Sequence, residues 1–247
     1  MFAIFRKEIN GFFSSLTGYV VILVFLLVNS LFMWVFPGEW NIFDNGYAGL
    51  DTLFLISPWV FLFLVPAVTM RMFSEEKRLG TIELIYSRPV TERGIIWGKY
   101  LASVVLVLMA LLPGIVYYFS VYILGEPPGN LDKGATLGSF IGLFFLASVY
   151  ASAGLFASSL TDNQVVAFLL AVVICFFLFT GFDSFAYLPF LKKLDEYVIM
   201  LGINEHYKSV SRGVIDIRDA AYFAAVAVIF TEATRLVLLS RKWRKTS

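Results

Sequence analysis

Six long runs of apolar residues constrain this sequence more than any other feature, because each is long enough to cross a lipid bilayer. A transmembrane helix needs about 20 predominantly apolar residues. Within lipid, only helices and closed barrels satisfy every backbone hydrogen bond. The sequence therefore predicts an all-α integral membrane protein, a single domain over residues 1–247 with six transmembrane helices. The predicted spans are residues 17–36, 53–70, 100–124, 136–160, 165–182 and 220–240.

The overall composition agrees with a membrane environment. Hydrophobic residues make up 59% of the chain and charged residues only 15%, whereas a soluble domain has roughly 45–50% and about 25%. A soluble protein this apolar would expose large hydrophobic patches. The formal net charge is +1, and no basic block interleaved with aromatic residues occurs outside the termini. No nucleic-acid partner is therefore expected.

The distribution of basic residues predicts the side of the membrane that each loop faces. With the N-terminus in the cytoplasm, 13 of the 19 Lys and Arg residues fall on the cytoplasmic side and six on the other. Cytoplasmic loops of membrane proteins carry an excess of these residues. Both termini are therefore expected in the cytoplasm. Apolar residues also recur at helical spacing from Phe2 to Phe12, with Arg6 and Lys7 between them, which predicts an interfacial helix over residues 1–16.

Residues that would carry catalysis or hold a metal are scarce. The chain has one histidine, His206, and one cysteine, Cys175, so neither a histidine pair nor a cysteine cluster can bind zinc. The nearest match to a phosphate-binding loop, Gly94 to Lys99, is one residue short and lacks the following Ser or Thr. The sequence therefore predicts no enzyme activity and no cofactor bound by this chain. If the system consumes ATP, another polypeptide binds it.

The polar segment between the second and third spans has helix-ending and helix-starting signals of its own. Gly80 can end a helical extension of the second span by adopting a positive φ. Thr81 then offers a cap for a short helix through Tyr86, and Pro89 stops that helix. A short helix set between two membrane helices can press against a soluble partner. The alternative is an ordinary solvated loop.

The same segment carries a series of short motifs in a fixed order. The motifs are Glu75-Glu76, Gly80-Thr81-x-Glu83-Leu84, Pro89-Val90 and Gly98-Lys99-Tyr100. In this order they resemble the signature of ABC-2 type transporter permeases. The opening stretch from Phe5 is similar to that family's N-terminal interface helix. The run from Asn204 to Asp219 is similar to the segment before its last helix.

This resemblance implies a permease subunit of an ATP-driven transporter, usually an exporter, in the bacterial inner membrane. It implies a cytoplasmic ATP-binding subunit that holds ATP and Mg, and a second permease, either another copy in a homodimer or a related chain. Within the family the chain resembles most the permease of the gliding-motility-associated transporter of Bacteroidetes bacteria. That likeness implies a membrane-anchored accessory protein and a role in gliding or in export of surface components.

The resemblance also assigns roles to residues of the polar segment. It implies a cytoplasmic coupling helix between the second and third spans, which receives movement from the ATP-binding subunit. Two further residues would shape the end of this helix. The residues expected in the coupling region are Glu75, Glu76, Gly80, Thr81 and Glu83, followed by Arg88 and Pro89.

The external segment before the last span contains a second amphipathic pattern. Four apolar residues share one predicted helix face opposite a group of charged residues, which indicates a helix at the outer interface. In the ABC-2 permeases that the sequence resembles, short re-entrant helices in this segment close the outer mouth of the transporter. The expected gate residues are Leu191, Leu194, Val198, Leu201, His206 and Arg212. His206 could sense pH or contact cargo, and an ordinary interfacial role is the alternative.

The sixth predicted span contains two opposite charges, Glu232 and Arg235, three residues apart. A charge at the centre of a membrane helix costs about 2.5–3.5 kcal/mol on insertion scales. A neutralising pair between them is one hypothesis, and contact with a neighbouring subunit or with the transport pathway is the other.

Two other functional classes fit a six-span chain. A secondary transporter or channel would need ionisable groups or broken helices near the membrane midplane. A passive membrane anchor of a motility or secretion complex would need neither. Copurification with an ATPase, and its loss on altering Glu75 to Glu83, distinguishes the transporter permease from both.

Overall fold

The computed structural model describes residues 1–86, 90–186, 195–213 and 216–244, and every regular element in these ranges is helical. Six helical segments are long and apolar enough to cross a membrane, which confirms the predicted all-α fold. These spans are Leu16–Val35, Asp51–Arg78, Glu92–Leu124, Lys133–Leu160, Gln164–Ala186 and Ile217–Ser240.

The described chain forms fourteen α-helices, numbered here in chain order. In the first half they are α1 (Phe2–Phe13), α2 (Leu16–Ser30), α3 (Ile42–Asn45), α4 (Asp51–Thr69), α5 (Arg71–Arg78), α6 (Ile82–Tyr86) and α7 (Glu92–Leu111). In the second half they are α8 (Ile115–Leu124), α9 (Lys133–Leu160), α10 (Gln164–Phe176), α11 (Phe182–Ala186), α12 (Asp195–Ile199), α13 (Ile203–Ser211) and α14 (Ile217–Arg244). Short 3₁₀ or π-helical turns continue three spans, at Leu31–Val35, Leu112–Gly114 and Phe177–Gly181.

Helix α9, the fourth span, lies at the centre of the bundle. It contacts α4, α7, α10, α13 and α14, and two thirds of its most apolar stretch is buried. Small residues make this central position possible, because they let neighbouring backbones approach closely. A Cβ atom added at Gly154 would lie 3.0 Å from Cβ of Thr69 on α4.

The glycines at the start of α9 form a packing face, but their partner is α13 rather than another span. A Cβ at Gly138 would clash with the carbonyl oxygen of Val210, and one at Gly142 would meet the ring of Tyr207 at 3.2 Å. The hydroxyl of Tyr207 donates to the carbonyl of Phe54 at 2.7 Å. Helix α13 is therefore held against the second and fourth spans.

Hydrogen bonds between polar side chains join the first three spans inside the bundle. Ser57 donates to Oδ1 of Asn29 at 3.2 Å, and the amide nitrogen of Asn29 donates to the carbonyl of Phe25 at 2.8 Å. The hydroxyls of Ser30 and Tyr117 lie 2.7 Å apart. These bonds satisfy polar groups that water cannot reach in a bilayer.

The helices extend further into the polar segment than the apolar runs alone suggest. The second span continues, with one irregular turn at Met70, as far as Arg78. The third begins at Glu92, where the hydroxyl of Thr91 accepts from the amide of Gly94 at 3.2 Å and caps the helix. Lys99, which the sequence predicted just before the third span, therefore lies inside the helix that crosses the membrane.

Helix α1 packs back against the start of α7. A Cβ atom at Gly98 would lie 3.0 Å from the carbonyl of Met1 and 3.1 Å from Cβ of Ile4. Phe12 at the other end of α1 is buried. The residues that were compared with a phosphate-binding loop thus form a regular helical turn whose glycine face receives α1.

Candidate functional site

Lys99 lies at the centre of a buried ionic cluster that joins three helices. Its Nζ atom donates to Oε1 of Glu8 on α1 at 2.7 Å, to Oε1 of Glu76 on α5 at 2.8 Å and to the carbonyl of Met72 at 2.8 Å. An ammonium group has three donors, so all of them are used. We call Lys7, Glu8, Glu76 and Lys99 the ionic cluster.

Burial makes the pairing in this cluster energetically important. The Lys99 side chain is 1% exposed, and those of Glu8 and Glu76 are 15% and 10% exposed. Removing one member of a buried ion pair leaves an uncompensated charge, which is strongly destabilising. The cluster therefore fixes α1, α5 and α7 relative to one another.

Lys7 is the outer member of the cluster. Its Nζ atom lies 2.8 Å from Oε1 of Glu76 and 3.7 Å from Oε1 of Glu8. Burial by itself would lower the pKa of Lys7, but the hydrogen bond with Glu76 and the negative charges of Glu76 and Glu8 raise that pKa above 10.5. Lys7 therefore keeps its charge at neutral pH.

Helix α5 is also bonded to the end of the fourth span. The backbone amides of Phe73 and Ser74 donate to the hydroxyl of Ser158 at 3.0 and 3.1 Å. The hydroxyl of Ser158 in turn donates to the carbonyl of Met70 at 2.7 Å. Ser158 is fully buried, so the start of α5 is anchored in the bundle core.

A second contact fixes the end of α5 to the same span. The Nζ atom of Lys77 donates to the carbonyl oxygen of Ser159. Helix α5 thus contacts α9 along both of its turns, and it contacts α1 and α7 through the ionic cluster. A displacement of α5 would be transmitted to all three of these helices.

The turn between α5 and α6 has the geometry predicted for Gly80. Gly80 adopts φ +69°, and its amide donates to the carbonyl of Lys77 at 3.2 Å. The hydroxyl of Thr81 donates to the carbonyl of Glu76 at 3.4 Å. Glu83 on α6 is exposed, Glu75 is half-buried and Glu76 is buried. Arg88 and Pro89 lie outside the described residues.

An open cleft of about 300 Å³ lies between α1 and α5, next to the ionic cluster. The described residues that line it come from α1, α5, the turn after α5, and α7. They are Lys7, Glu8, Gly11, Arg71, Met72, Glu75, Glu76, Leu79, Thr81 and Lys99. Three of these, Glu75, Glu76 and Thr81, are among the residues expected in the coupling region.

The residues predicted to form an external gate do not form one continuous helix in the part of the chain that the structure describes. Leu191 and Leu194 lie outside the described residues. Helix α12 ends at Ile199, and the chain turns so that the amide of Leu201 donates to the carbonyl of Val198 at 3.1 Å. The prediction that Leu201 lies on the same helix face as Val198 is therefore wrong, because the turn ends the helix before Leu201. The Leu201 side chain is 57% exposed.

His206 ties α13 to the start of the sixth span. Its Nδ1 atom lies 2.7 Å from Oδ1 of Asp219, and its Nε2 atom lies 2.9 Å from the carbonyl oxygen of Met200. The ring stacks on Tyr222 with 3.8 Å between centroids. These contacts support a structural role, whereas Arg212 is an exposed residue at the end of α13.

Glu232 and Arg235 form the expected pair, and a third residue joins them. Oε2 of Glu232 accepts from Arg235 at 3.1 Å, and Oε1 of Glu232 lies 3.1 Å from Nε of Arg93. Arg93 is the second residue of α7, so the pair lies level with the beginning of the third span. The ion pairs link the third and sixth spans at one end of the bundle.

Several of these contacts were not predicted from the sequence. Glu8 and Lys99 are 91 positions apart, and no local pattern indicates that they meet. A usable signal was the glycine pair Gly94 and Gly98 directly before Lys99, since small residues four apart favour helix contact. Gly154 and Ser158 have the same spacing at the point where α9 receives α4 and α5.

Comparison with known proteins agrees with this architecture. The profile of the family described as "ABC-2 family transporter protein" matches residues 3–231. The match covers all but the first residue of α1, five complete spans and more than half of the sixth. It includes every member of the ionic cluster. No individual curated protein matches the chain. This chain therefore belongs to the ABC-2 transporter family, as a multi-pass membrane component of the transport system.

Proposed function

We propose that this chain is the membrane-spanning permease subunit of an ATP-driven transporter and that a separate ATP-binding subunit acts on the α5–α6 segment, residues 71–86. The observation that carries this proposal is the attachment of α5. Ser158 bonds two backbone amides of α5, and Lys99 bonds Glu76 of α5 and Glu8 of α1. Force applied to the segment would therefore move the fourth span, α1 and α7.

ATP and Mg are assigned to the partner subunit, and this chain would bind neither. The residues from Gly94 to Lys99 lie within regular helix α7, so their amides cannot form the loop that cradles phosphates. On this proposal both termini and the α5–α6 segment face the cytoplasm, in the inner membrane of a bacterium. This agrees with the excess of basic residues on that side.

The translocation path would form between two permease chains, either two copies of this one or this chain and a related one. Export is the proposed direction. A role in gliding motility, with a membrane-anchored accessory protein, is the more specific form of the proposal and rests on the resemblance of the sequence motifs alone.

Secondary transport is the alternative with one observation in its favour, namely a buried lysine inside a span. Lys99 lies seven residues after the start of α7, about 10 Å along the helix axis. Two carboxylates neutralise it, and its neighbours belong to the interfacial helix α1 and to the end of α5. This position supports a structural link more than a midplane ion site.

The test is purification of the tagged chain from its native membrane, with mass spectrometry of every copurifying subunit. We expect a subunit with a nucleotide-binding phosphate loop. Gly80→Pro should reduce its capture or uncouple its ATP hydrolysis from transport, because proline cannot adopt φ +69°. Gly46→Pro is the matched control, because Gly46 also adopts a positive φ, +72°, but lies in a turn outside the α5–α6 segment. Absence of any nucleotide-binding subunit would contradict the proposal.

A further inference from the structure

The cleft between α1 and α5 contains cations that are all engaged within the chain. Lys99 uses its three donors on Glu8, Glu76 and Met72. Lys7 bonds Glu76. Arg71 donates to the hydroxyl of Thr17 at 3.2 Å, and its guanidinium lies 5.0 Å from the ring centroid of Phe12. Lys99 therefore has no donor left, and Lys7 and Arg71 already have partners within the chain.

The carboxylates of the cleft, by contrast, retain acceptor capacity. Oε1 of Glu76 accepts from both lysines, while Oε2 is buried and has no hydrogen-bond partner among the described residues. The Glu76 side chain is nine-tenths buried. Glu75, half-buried beside it in the same cleft, makes no side-chain hydrogen bond or ion pair with the described residues. A buried carboxylate oxygen without a donor is energetically costly.

We infer that this cleft receives a basic side chain of the ATP-binding subunit, which pairs with Glu75 and supplies the missing donor to Glu76. The inference rests on the proposed function and adds the chemistry of the contact. Lys7 and Lys99 already balance the charges of Glu8 and Glu76. An incoming guanidinium or ammonium group would therefore balance the charge of Glu75 and donate to Oε2 of Glu76. Because Glu76 also holds Lys99 and Lys7, the incoming cation would be coupled directly to the ionic cluster.

The position of the contact is tested by photo-crosslinking in the native membrane. A photoreactive amino acid replaces Leu79, which lines the cleft, is 62% exposed and leaves both carboxylates intact. The matched control carries it at Leu137, also 62% exposed but at the start of α9. We expect Leu79 alone to crosslink to the ATP-binding subunit, at a peptide that contains Lys or Arg.

The chemistry of the contact is tested by Glu76→Gln. The amide oxygen can still accept from Lys7 and Lys99, but the amide nitrogen replaces Oε2 with a donor that repels a cation. Capture of the ATP-binding subunit should fall at least about tenfold, since losing one partner of a buried charge pair has at least that effect. Glu126→Gln, an exposed acid at the far end of the third span, should leave capture unchanged.

A charge exchange completes the test and covers the case in which Glu76→Gln fails to fold. Glu75→Arg should weaken capture, and changing the crosslinked basic residue of the partner to Glu should restore it. Capture that is unaffected by Glu75→Arg, or a crosslinked peptide without Lys or Arg, would overturn the inference while leaving the proposed function intact. If no ATP-binding subunit is captured by the unaltered chain, the proposed function itself fails.

Discussion

The Nζ atom of Lys99 lies 2.8 Å from Oε1 of Glu76, inside the bundle, although the two residues belong to α7 and α5. The same nitrogen lies 2.7 Å from Oε1 of Glu8 on α1. One buried ammonium group therefore links α1, the end of the second span and the start of the third. This link connects the α5–α6 segment to the membrane bundle.

Replacing Lys99 with methionine should destabilise the protein strongly. The variant would leave Glu8 and Glu76 buried with one cation fewer, and breaking a buried ion pair costs about 3–5 kcal/mol. We expect a clear fall in the thermal unfolding temperature of the detergent-solubilised protein. Lys133→Met is the control, because Lys133 is exposed at the start of α9. Equal unfolding temperatures of the two variants would show that the cluster contributes little to stability.

Ser158→Ala should loosen α5 without creating a large cavity. The amides of Phe73 and Ser74 would lose their acceptor in the core, and each unsatisfied buried donor costs about 1–3 kcal/mol. Hydrogen–deuterium exchange of the peptide that contains α5 should therefore become faster. Ser120→Ala serves as the control, since Ser120 is half-buried and donates only to a carbonyl of its own helix. Unchanged exchange in Ser158→Ala would exclude Ser158 as the anchor of α5.

Gly138→Ala should weaken the docking of α13 on the fourth span. The new methyl group would clash with the carbonyl oxygen of Val210 and lie 2.9 Å from Cα of Gly213. Overpacking of this kind costs about 1–3 kcal/mol. Gly134→Ala, one helical turn earlier, would meet only the side chain of Asp132 at 3.4 Å. Thermal unfolding should therefore distinguish the two variants. If both unfold alike, α13 is not held by this contact.

The contribution of Lys7 should depend on pH only under alkaline conditions. Its pKa is raised above 10.5 in the folded chain, so its stabilising effect is fully present below the unfolded pKa and is lost as the pH rises through the folded value. The difference in unfolding temperature between the unaltered chain and Lys7→Met should stay constant from neutral pH to near 10.5 and then shrink. A difference that shrinks near neutral pH would contradict the assigned ion pairs.

The features that the sequence predicted correctly depend on short stretches of chain. Six spans follow from the length of apolar runs, and the positive φ of Gly80 follows from the residue type at the end of a helix. The Glu232–Arg235 pair was predicted because its members lie three residues apart on one helix.

The features that the sequence did not reveal depend on how distant helices meet. Lys99 was predicted in a cytoplasmic loop because apolar residues begin after it, whereas a cap at Thr91 starts the helix two turns earlier. Glu8 reaches Lys99 because α1 folds back onto Gly98, and Glu76 reaches it from α5, which continues the second span. The single external helix expected through Leu201 is interrupted by a turn at Met200, for which the apolar spacing gave no signal.

The side of the membrane on which Leu79 lies tests the central claim most directly. The sole cysteine of the chain, Cys175, is buried, so Leu79→Cys and Tyr47→Cys each introduce one accessible thiol at positions 62% and 78% exposed. In spheroplasts, a membrane-impermeant maleimide should label Tyr47→Cys at once and Leu79→Cys only after the membrane is permeabilised. Labelling of Leu79→Cys in intact spheroplasts would place the α5–α6 segment outside the cell. That result would contradict the proposal that a cytoplasmic ATP-binding subunit acts on this segment.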